Sequence, residues 1–198
     1  MSTTPRTRLS VAARRDELLR VGSVLFATRP YDEVWIEHVA QEAGVSSALI
    51  YHYFGNKKTS VGEIVRRDSE SFLRAITVDP VLPPYEQFLT SLDAYLDHIE
   101  QHPHAYIAMT RGLASTDPAV REILDSNRAV VTEHTLKRIV SGTPTPAQRM
   151  IARAWVVYIV DMCMAWLIDS IVDRAELRDL LIRSYDALSG VITDIGSA

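Results

Sequence analysis

Three histidines lie close together at positions 98, 102 and 104, and imidazole nitrogens are common metal ligands. On a helix, His98 and His102 would stand one turn apart on the same face, a spacing that is able to hold a metal, and Glu100 could join them. Against a metal site, Pro103 should break the helix, and a histidine in a last helical turn is favoured by the helix dipole alone. The cluster leaves open an all-helical metal-dependent enzyme using His98, His102 and His104, but no nucleophile and base stand at a recognisable spacing.

One carboxylate, Asp161, interrupts an otherwise apolar stretch of the chain. A carboxylate in such surroundings either pairs with a base or faces solvent. It could pair with Arg149, with Arg153 or with an arginine of a second subunit. Alternatively, it could anchor a cationic or hydroxylated ligand.

The segment from Val39 to Phe54 has an order of residues that favours two short helices joined by a tight turn. Ala40 supplies the small side chain that a steep helix crossing needs, and Gly44 adopts a left-handed conformation at little cost. The Ser46 hydroxyl is placed to accept from the free amides of the following helix. Ser46 therefore marks the start of that helix.

The second helix of this pair should bury one face and expose the other. Ile50, Tyr53 and Phe54 follow the spacing of three and four that directs side chains inward. A polar and aromatic outward face is what a protein needs to read a DNA groove. That face is expected to hold Ser47, Ala48, Tyr51 and His52.

Helix signals recur along the whole chain, and strand signals do not. Asp117, Thr145 and Asp173 each stand where an N-cap is expected, and Thr145 has a capping-box partner in Gln148. The clear breaks are 79–84 and 141–144. We predict about nine helices, near residues 10–28, 35–42, 46–53, 57–78, 84–101, 103–112, 117–140, 146–171 and 174–194.

Several short segments resemble the N-terminal domain of TetR-type transcriptional regulators over roughly residues 10–68. The segments are Phe26, Pro30–Val34, Ile36–Ala40, Ala43–Ser46, Ile50–Phe54 and Lys57. The resemblance implies an all-α homodimer with a three-helix DNA-binding head containing the helix-turn-helix, and a helical ligand-binding and dimerisation body. It places the head at residues 1–56 and the body at 57–198, with helix 57–78 linking them, and it implies that a small molecule releases the DNA.

The chain departs from the family pattern at Trp35, Ala48, Lys58 and Ser60, so an operator sequence cannot be borrowed from a relative. No lysine or arginine lies from position 30 to 56, which excludes a bidentate arginine on the reading helix. Phosphate contacts would then fall to basic residues on either side, Arg14 and Arg15 among them. The predicted DNA-binding residues are Arg6, Arg8, Trp35, Ser46, Ser47, Ala48, Leu49, Tyr51, His52, Lys57 and Lys58.

Charge is distributed unevenly but weakly. The chain has a net charge of −4; residues 1–68 hold 10 basic and 8 acidic residues, and the remainder holds 11 and 17. The asymmetry favours DNA binding by the first part, although ordinary solvated faces explain it equally well. Cys163 is the only cysteine, so no internal disulfide forms. Without a signal peptide pattern, and with a longest weakly charged run of 15 residues (154–168), we expect a cytoplasmic protein.

A ligand pocket in such a body would lie among the helices of residues 84–171. Aromatic and methionine side chains dominate apolar pockets, although the same residues are also ordinary core. A hydrophobic effector, acyl-like or aromatic, fits this composition better than a sugar phosphate. The candidate lining residues are Tyr95, Ile99, Tyr106, Met109, Leu113, Val131, His134, Trp155, Tyr158, Asp161 and Met162.

The last two predicted helices are the best candidates for a dimer interface, because one carries a wide apolar stripe and the other is apolar almost all round. The stripe could instead belong to the core of one chain; the resemblance favours a two-fold interface. The predicted interface residues are Cys163, Trp166, Leu167, Leu177, Leu180, Leu181, Ser184, Tyr185 and Leu188.

The residues and the resemblance together predict a non-enzymatic, ligand-responsive transcriptional regulator that has no cofactor and does not act at a membrane. We expect a repressor that binds a palindromic operator on double-stranded DNA as a homodimer. A second alternative, beside the metal enzyme, is a TetR-like protein whose operator binding is weakened by the missing basic residues.

Overall fold

A computed structural model describes residues 10–29, 36–111 and 117–196, and within these ranges the chain is helical with no strand. The helices are α1 (Val11–Thr28), α2 (Ile36–Glu42), α3 (Ser47–Phe54), α4 (Lys57–Ile76), α5 (Pro84–Gln101), α6 (Pro103–Thr110), α7 (Pro118–Ile139), α8 (Pro146–Asp169) and α9 (Arg174–Gly196). The all-α prediction is confirmed. The helix bounds agree with the predicted ones to within two residues wherever both are described.

The predicted caps begin the helices of the body. The Asp117 side chain accepts from the Ala119 amide at 2.8 Å, and Asp173 accepts from the Glu176 amide at the same distance. Thr145 and Gln148 form the predicted capping box. Gln148 is also buried and donates to the Ile192 carbonyl of α9 at 2.9 Å, so it joins the start of α8 to the last helix.

Two separate hydrophobic cores organise the chain. The first joins α1, α2, α3, the first turns of α4 and Val120 at the start of α7. The second joins α5, α7, α8 and α9. Helix α4 connects the two: Val61 and Ile64 lie in the first core, whereas Phe72 and Ile76 line a cavity beside the second. We call the part around the first core the head and the part around the second the body.

Helix α8 has 24 residues and, by length and composition alone, is apolar enough to cross a membrane. The weakly charged run of residues 154–168 is therefore part of a longer helix. A third of its most apolar window is buried inside the protein, and its buried residues pack against α7 and α9. A core helix of a soluble protein passes the same test, so the composition is weak support for a membrane span.

Candidate DNA-binding surface and body cavity

The turn between α2 and α3 is built as its residues predict. Gly44 has a φ of 62°, which a residue with a side chain adopts only at a cost. Ala40 is buried, and its carbonyl accepts from the Val45 amide at 2.9 Å, which closes the turn. Ser46 caps α3 by accepting from the Leu49 amide at 3.3 Å. The sequence 40–46 therefore holds α3 at a fixed angle against the head.

Helix α3 has a buried side and an outward side. Ile50 and Phe54 are almost fully buried, and Tyr53 is half-buried against them. Tyr51 is 43% exposed, so its ring lies on the outward side as predicted. His52 is exposed beside it. Among the other predicted reading residues, Ser46 and Ala48 are exposed, and Ser47 and Leu49 are half-buried.

The basic residues predicted to contact phosphate are only partly described. Arg6, Arg8 and Trp35 lie outside the described residues, as do the side chains of Lys57 and Lys58. Arg14 pairs with Glu17 on α1, and Arg15 pairs with Glu63 on α4. The Arg15 guanidinium also lies 5.3 Å from the centre of the Phe54 ring. Arg15 therefore joins α1, α4 and the end of α3, which the sequence did not reveal.

The body contains a cavity of about 160 Å³ between α4, α5, α6, α7 and α8. Its wall is mainly apolar, and α4 contributes Val65, Phe72 and Ile76 to it. Seven of the residues predicted as ligand-lining lie on this wall. They are Tyr95, Ile99, Tyr106, Met109, Val131, His134 and Trp155.

Three other predicted lining residues do not reach the cavity. Tyr158 and Asp161 are exposed on the opposite side of α8, and Met162 packs against the second core instead. Asp161 pairs with Arg111, so the predicted pairing with Arg149 or Arg153 is wrong; Arg149 pairs with Glu133. Leu113 lies outside the described residues.

The polar part of the wall was largely missed from the sequence. Asp68 and Ser69 come from α4, and Asn127, Arg128 and Arg138 come from α7. Val131 was predicted, and Arg128, Thr135 and Arg138 stand three, four and seven residues from it, on one face of α7. This spacing is the signal that would have found them.

Burial controls the titratable groups around the cavity. It raises the pKa of Tyr95 and Tyr106, whose hydroxyl groups hydrogen-bond to each other, and it raises the pKa of the nearby Cys163 thiol to about 12. Burial, with a smaller contribution from His102, lowers the pKa of His98 to about 4. At neutral pH the tyrosine and His98 side chains on the cavity wall are therefore neutral, and so is the buried Cys163 thiol behind them.

The histidine cluster does not form a metal site in the described part of the chain. The His98 and His102 rings stack with their centres 4.7 Å apart, and His102 Nδ1 lies 2.9 Å from the His98 carbonyl oxygen. His104 is exposed on the next helix, after the break at Pro103. Across residues 10–29, 36–111 and 117–196, no group of three or more histidine, cysteine or acidic side chains could hold a metal ion.

Most of the predicted dimer residues are buried within the single chain. The apolar stripe of α9 faces α5, α7 and α8, so the predicted interface residues on it pack in the core of one chain. Ser184 accepts a hydrogen bond from Trp155 Nε1 at 3.0 Å. Leu180 is 38% exposed, and Trp166 and Leu167 are half-buried. The buried residues are Cys163, Leu177, Leu181, Tyr185 and Leu188.

A different apolar face of α8 and α9 is exposed. Met150, Val157 and Ile168 lie on one side of α8, and Leu180 and Val191 lie on one side of α9. Each is at least 38% exposed in the single chain. The two helices pack against each other, and we call these exposed side chains the α8–α9 face.

Two family models match the chain. The bacterial regulatory proteins of the tetR family match residues 18–64, and the tetracyclin repressor-like C-terminal domain matches residues 84–188. The second match alone covers more than half of the chain. The chain belongs to the TetR family of transcriptional regulators, and the predicted membership is confirmed. Since the proteins of this family are DNA-binding regulators and not enzymes, the metal-enzyme alternative is set aside.

Curated relatives agree with this family. The transcriptional repressor KstR2 of Mycolicibacterium smegmatis is 30% identical over 107 residues, which cover 53% of this chain and 52% of that protein. The chain therefore matches only about half the length of that relative. The transcriptional activator FasR of the same organism is 24% identical over 164 residues, covering 81% of this chain and 75% of FasR.

A solved structure matches nearly the whole chain. The TetR-family regulator from Streptomyces coelicolor superposes with a TM-score of 0.86 at 27% identity, covering 94% of this chain and 85% of that one. The likeness extends through head and body, so both parts have the arrangement of a TetR-family regulator.

Proposed function

We propose that this protein is a ligand-responsive repressor that binds a palindromic operator as a homodimer and releases it when a mainly hydrophobic effector enters the body cavity. The observation that carries the proposal is the exposed side of α3, held on a buried Ile50 and Phe54 within a helix-turn-helix. In helix-turn-helix proteins this second helix enters the major groove. A DNA-bound regulator of this family would work in the cytoplasm.

Base reading is assigned to the exposed residues of α3. His52 and Tyr51 offer an imidazole and a hydroxyl to base edges or phosphates, Ser47 offers a second hydroxyl, and Ala48 and Leu49 offer apolar contacts to a thymine methyl. Lys57 and Lys58, at the start of α4, are assigned to phosphate, with Arg6 and Arg8. Arg14 and Arg15 are less suited, because acidic side chains already pair with them.

The α8–α9 face is assigned to the dimer interface. A stripe of exposed apolar side chains on two adjacent long helices is unusual on a monomer, and two copies would bury it as a four-helix arrangement. Val157→Lys combined with Val191→Lys should convert the dimer to a monomer in analytical ultracentrifugation. A dimer that survives the double substitution would exclude this face.

Helix α4 is assigned the coupling between effector and DNA. Val65 belongs both to the head core and to the cavity wall, so a ligand that displaces α4 acts directly on the packing of the head. The sign of regulation rests on the relatives: KstR2 is named a repressor and FasR an activator. We propose repression because the repressor is the more similar in sequence.

Selection of bound duplexes from a random library tests the DNA part of the proposal. The purified protein should enrich a palindrome whose half-sites lie about one helical turn apart. Enrichment of no sequence would overturn specific operator binding and support the alternative of a weakened head.

Two variants distinguish the roles of the head residues. His52→Ala should change the enriched sequence, because a base contact is lost. Lys57→Ala should keep the sequence, weaken binding to all duplexes and reduce the salt slope by about one. An equal loss on every sequence for His52→Ala would refute its reading role.

A further inference from the structure

Arg138 in the body differs from the other half-buried arginines of the described residues, because it does not pair with a carboxylate. Seven arginines in the described part of the chain are half-buried, and six of them pair with a carboxylate within ion-pair distance. The seventh, Arg138, has no carboxylate partner among the described residues, although it lines the cavity. A partly desolvated cation without a counter-charge is costly. Burial also lowers the pKa of Arg138.

The Arg138 guanidinium is nonetheless held in place. It donates to the Ser91 hydroxyl at 2.7 Å, and Ser91 in turn donates to the Ile76 carbonyl of α4 at 2.8 Å. Ser91 is buried, so this chain of hydrogen bonds fixes the cation without neutralising it. A planar guanidinium that keeps donors available is suited to a carboxylate, which it binds through two parallel hydrogen bonds.

Arg138 lies on a cavity wall that is mainly apolar. On α7 this wall runs from Leu124 to Arg138, which at the rise of an α-helix is about 21 Å. Arg138 lies near the end of α7 that is remote from the head, and Leu124 packs against the head core. The apolar side chains of the wall include Phe72, Ile99 and Val131, and Asn127 and Arg128 are polar members of it on α7.

The carboxylate at the other end is already accommodated. Burial raises the pKa of Asp68, and a hydrogen bond from Ser23 together with the nearby His102 and Arg67 partly offsets that rise. Groups of the protein therefore already stabilise the Asp68 carboxylate, whereas no carboxylate among the described residues stabilises the Arg138 cation. This difference between Asp68 and Arg138 favours a ligand whose charged group is an anion bound at Arg138.

Resting on the proposed effector cavity, we propose that the effector is an amphipathic carboxylate, whose anionic head pairs with Arg138 and whose apolar chain extends along α7 toward the head.

Three ten-carbon probes with different head groups test this polarity: decanoate, 1-decanol and decylamine, titrated calorimetrically into the full-length protein below their aggregation limits. Decanoate should bind about tenfold or more tightly than either of the others, the difference expected for a charge-assisted pair. Equal binding of the three, or a preference for decylamine, would overturn the assignment.

Two arginines on the same wall provide the matched comparison. Arg138→Gln should lower decanoate affinity to that of decanol, whereas Arg128→Gln, which removes an arginine already paired with Asp125, should leave the preference intact. Arg138→Lys keeps the charge and should bind decanoate with intermediate affinity. Unchanged preference in Arg138→Gln would overturn the proposal, and thermal unfolding without ligand checks that each variant is folded.

The outcome separates this inference from the proposed function. If decanol binds as tightly as decanoate and releases the selected operator, the regulator stands and the carboxylate assignment fails. If no probe binds, the effector cavity and the carboxylate assignment are both overturned, while duplex selection, which uses no ligand, still tests the regulator.

Discussion

The head and the body use internal space in opposite ways. In the head, the void beside Ile50 and Phe54 is only about 20 Å³, and a Cβ atom added at Gly22 would clash with Ile64 Cδ1. The cavity of the body that Arg138 lines is about 160 Å³. Tight packing in the head fixes the position of α3, whereas looser packing in the body leaves a space that a ligand is able to fill.

The largest effect should come from removing volume in the head. Ile50→Ala, at a side chain that is 1% exposed, should lower the free energy of unfolding by about 2–5 kcal/mol and weaken binding to every duplex, because α3 loses its support. Val131→Ala in the cavity wall is the matched control and should cost less than about 1 kcal/mol, since its side chain faces a space that already exists. Equal costs in chemical denaturation would contradict the contrast.

Adding volume should have the opposite consequence in the body. Val131→Phe fills part of the cavity, so the free energy of unfolding should stay the same or rise by about 1 kcal/mol, while the affinity for an apolar effector falls tenfold or more. The selected operator should still bind in a gel-shift assay, but the effector should no longer release it. A loss of 1–3 kcal/mol, as overpacking causes, would mean that the space is not available.

The same contrast explains how much the sequence predicts. The head is encoded locally: Ala40, Gly44, Ser46 and Ile50 determine the turn, the cap and the buried side of α3 within eleven residues, and the structure has each of them in the predicted state. Helix periodicity and caps similarly predict the helices of residues 10–29, 36–111 and 117–196 to within two residues. These features depend on neighbours in the chain, which a sequence shows directly.

The cavity and the interface depend on residues far apart in the chain. Arg138 meets Ser91 across 47 positions, and no local pattern indicates that pairing. The stripe of α9 has the same spacing whether it covers the core or a partner; its burial against α8 was therefore not decidable from periodicity. Tyr158 and Met162 show the same difficulty. Because α8 is apolar almost all round, its sequence does not indicate which face meets the cavity, which the core and which the outside of the chain.

A smaller effect should separate positioning from phosphate binding in the head. Arg15→Ala removes the pair with Glu63 and the contact with the Phe54 ring, and should lower the free energy of unfolding by about 1 kcal/mol. Decanoate affinity should not change, because the cavity lies elsewhere. Glu63→Gln breaks the same pair but leaves the cation, so a similar loss of DNA affinity in both variants indicates positioning, and a loss confined to Arg15→Ala indicates a phosphate contact.

The smallest expected effect concerns pH and belongs to the body. The pKa of His98 is about 4 in the folded chain and about 6.5 when unfolded, so the unfolded state alone takes up this proton between those values, and stability falls as pH is lowered from 7 to 5. Because solvent reaches part of the ring, we expect a loss of about 1 kcal/mol, with His134 adding to it and Asp68, whose pKa burial raises, opposing it. His98→Gln should flatten this dependence in thermal unfolding, whereas His104→Gln, at an exposed position outside the cavity, should leave it unchanged. If stability falls equally with pH in His98→Gln, the proton is taken up at another residue, and His98 in the cavity wall does not cause the loss of stability at low pH.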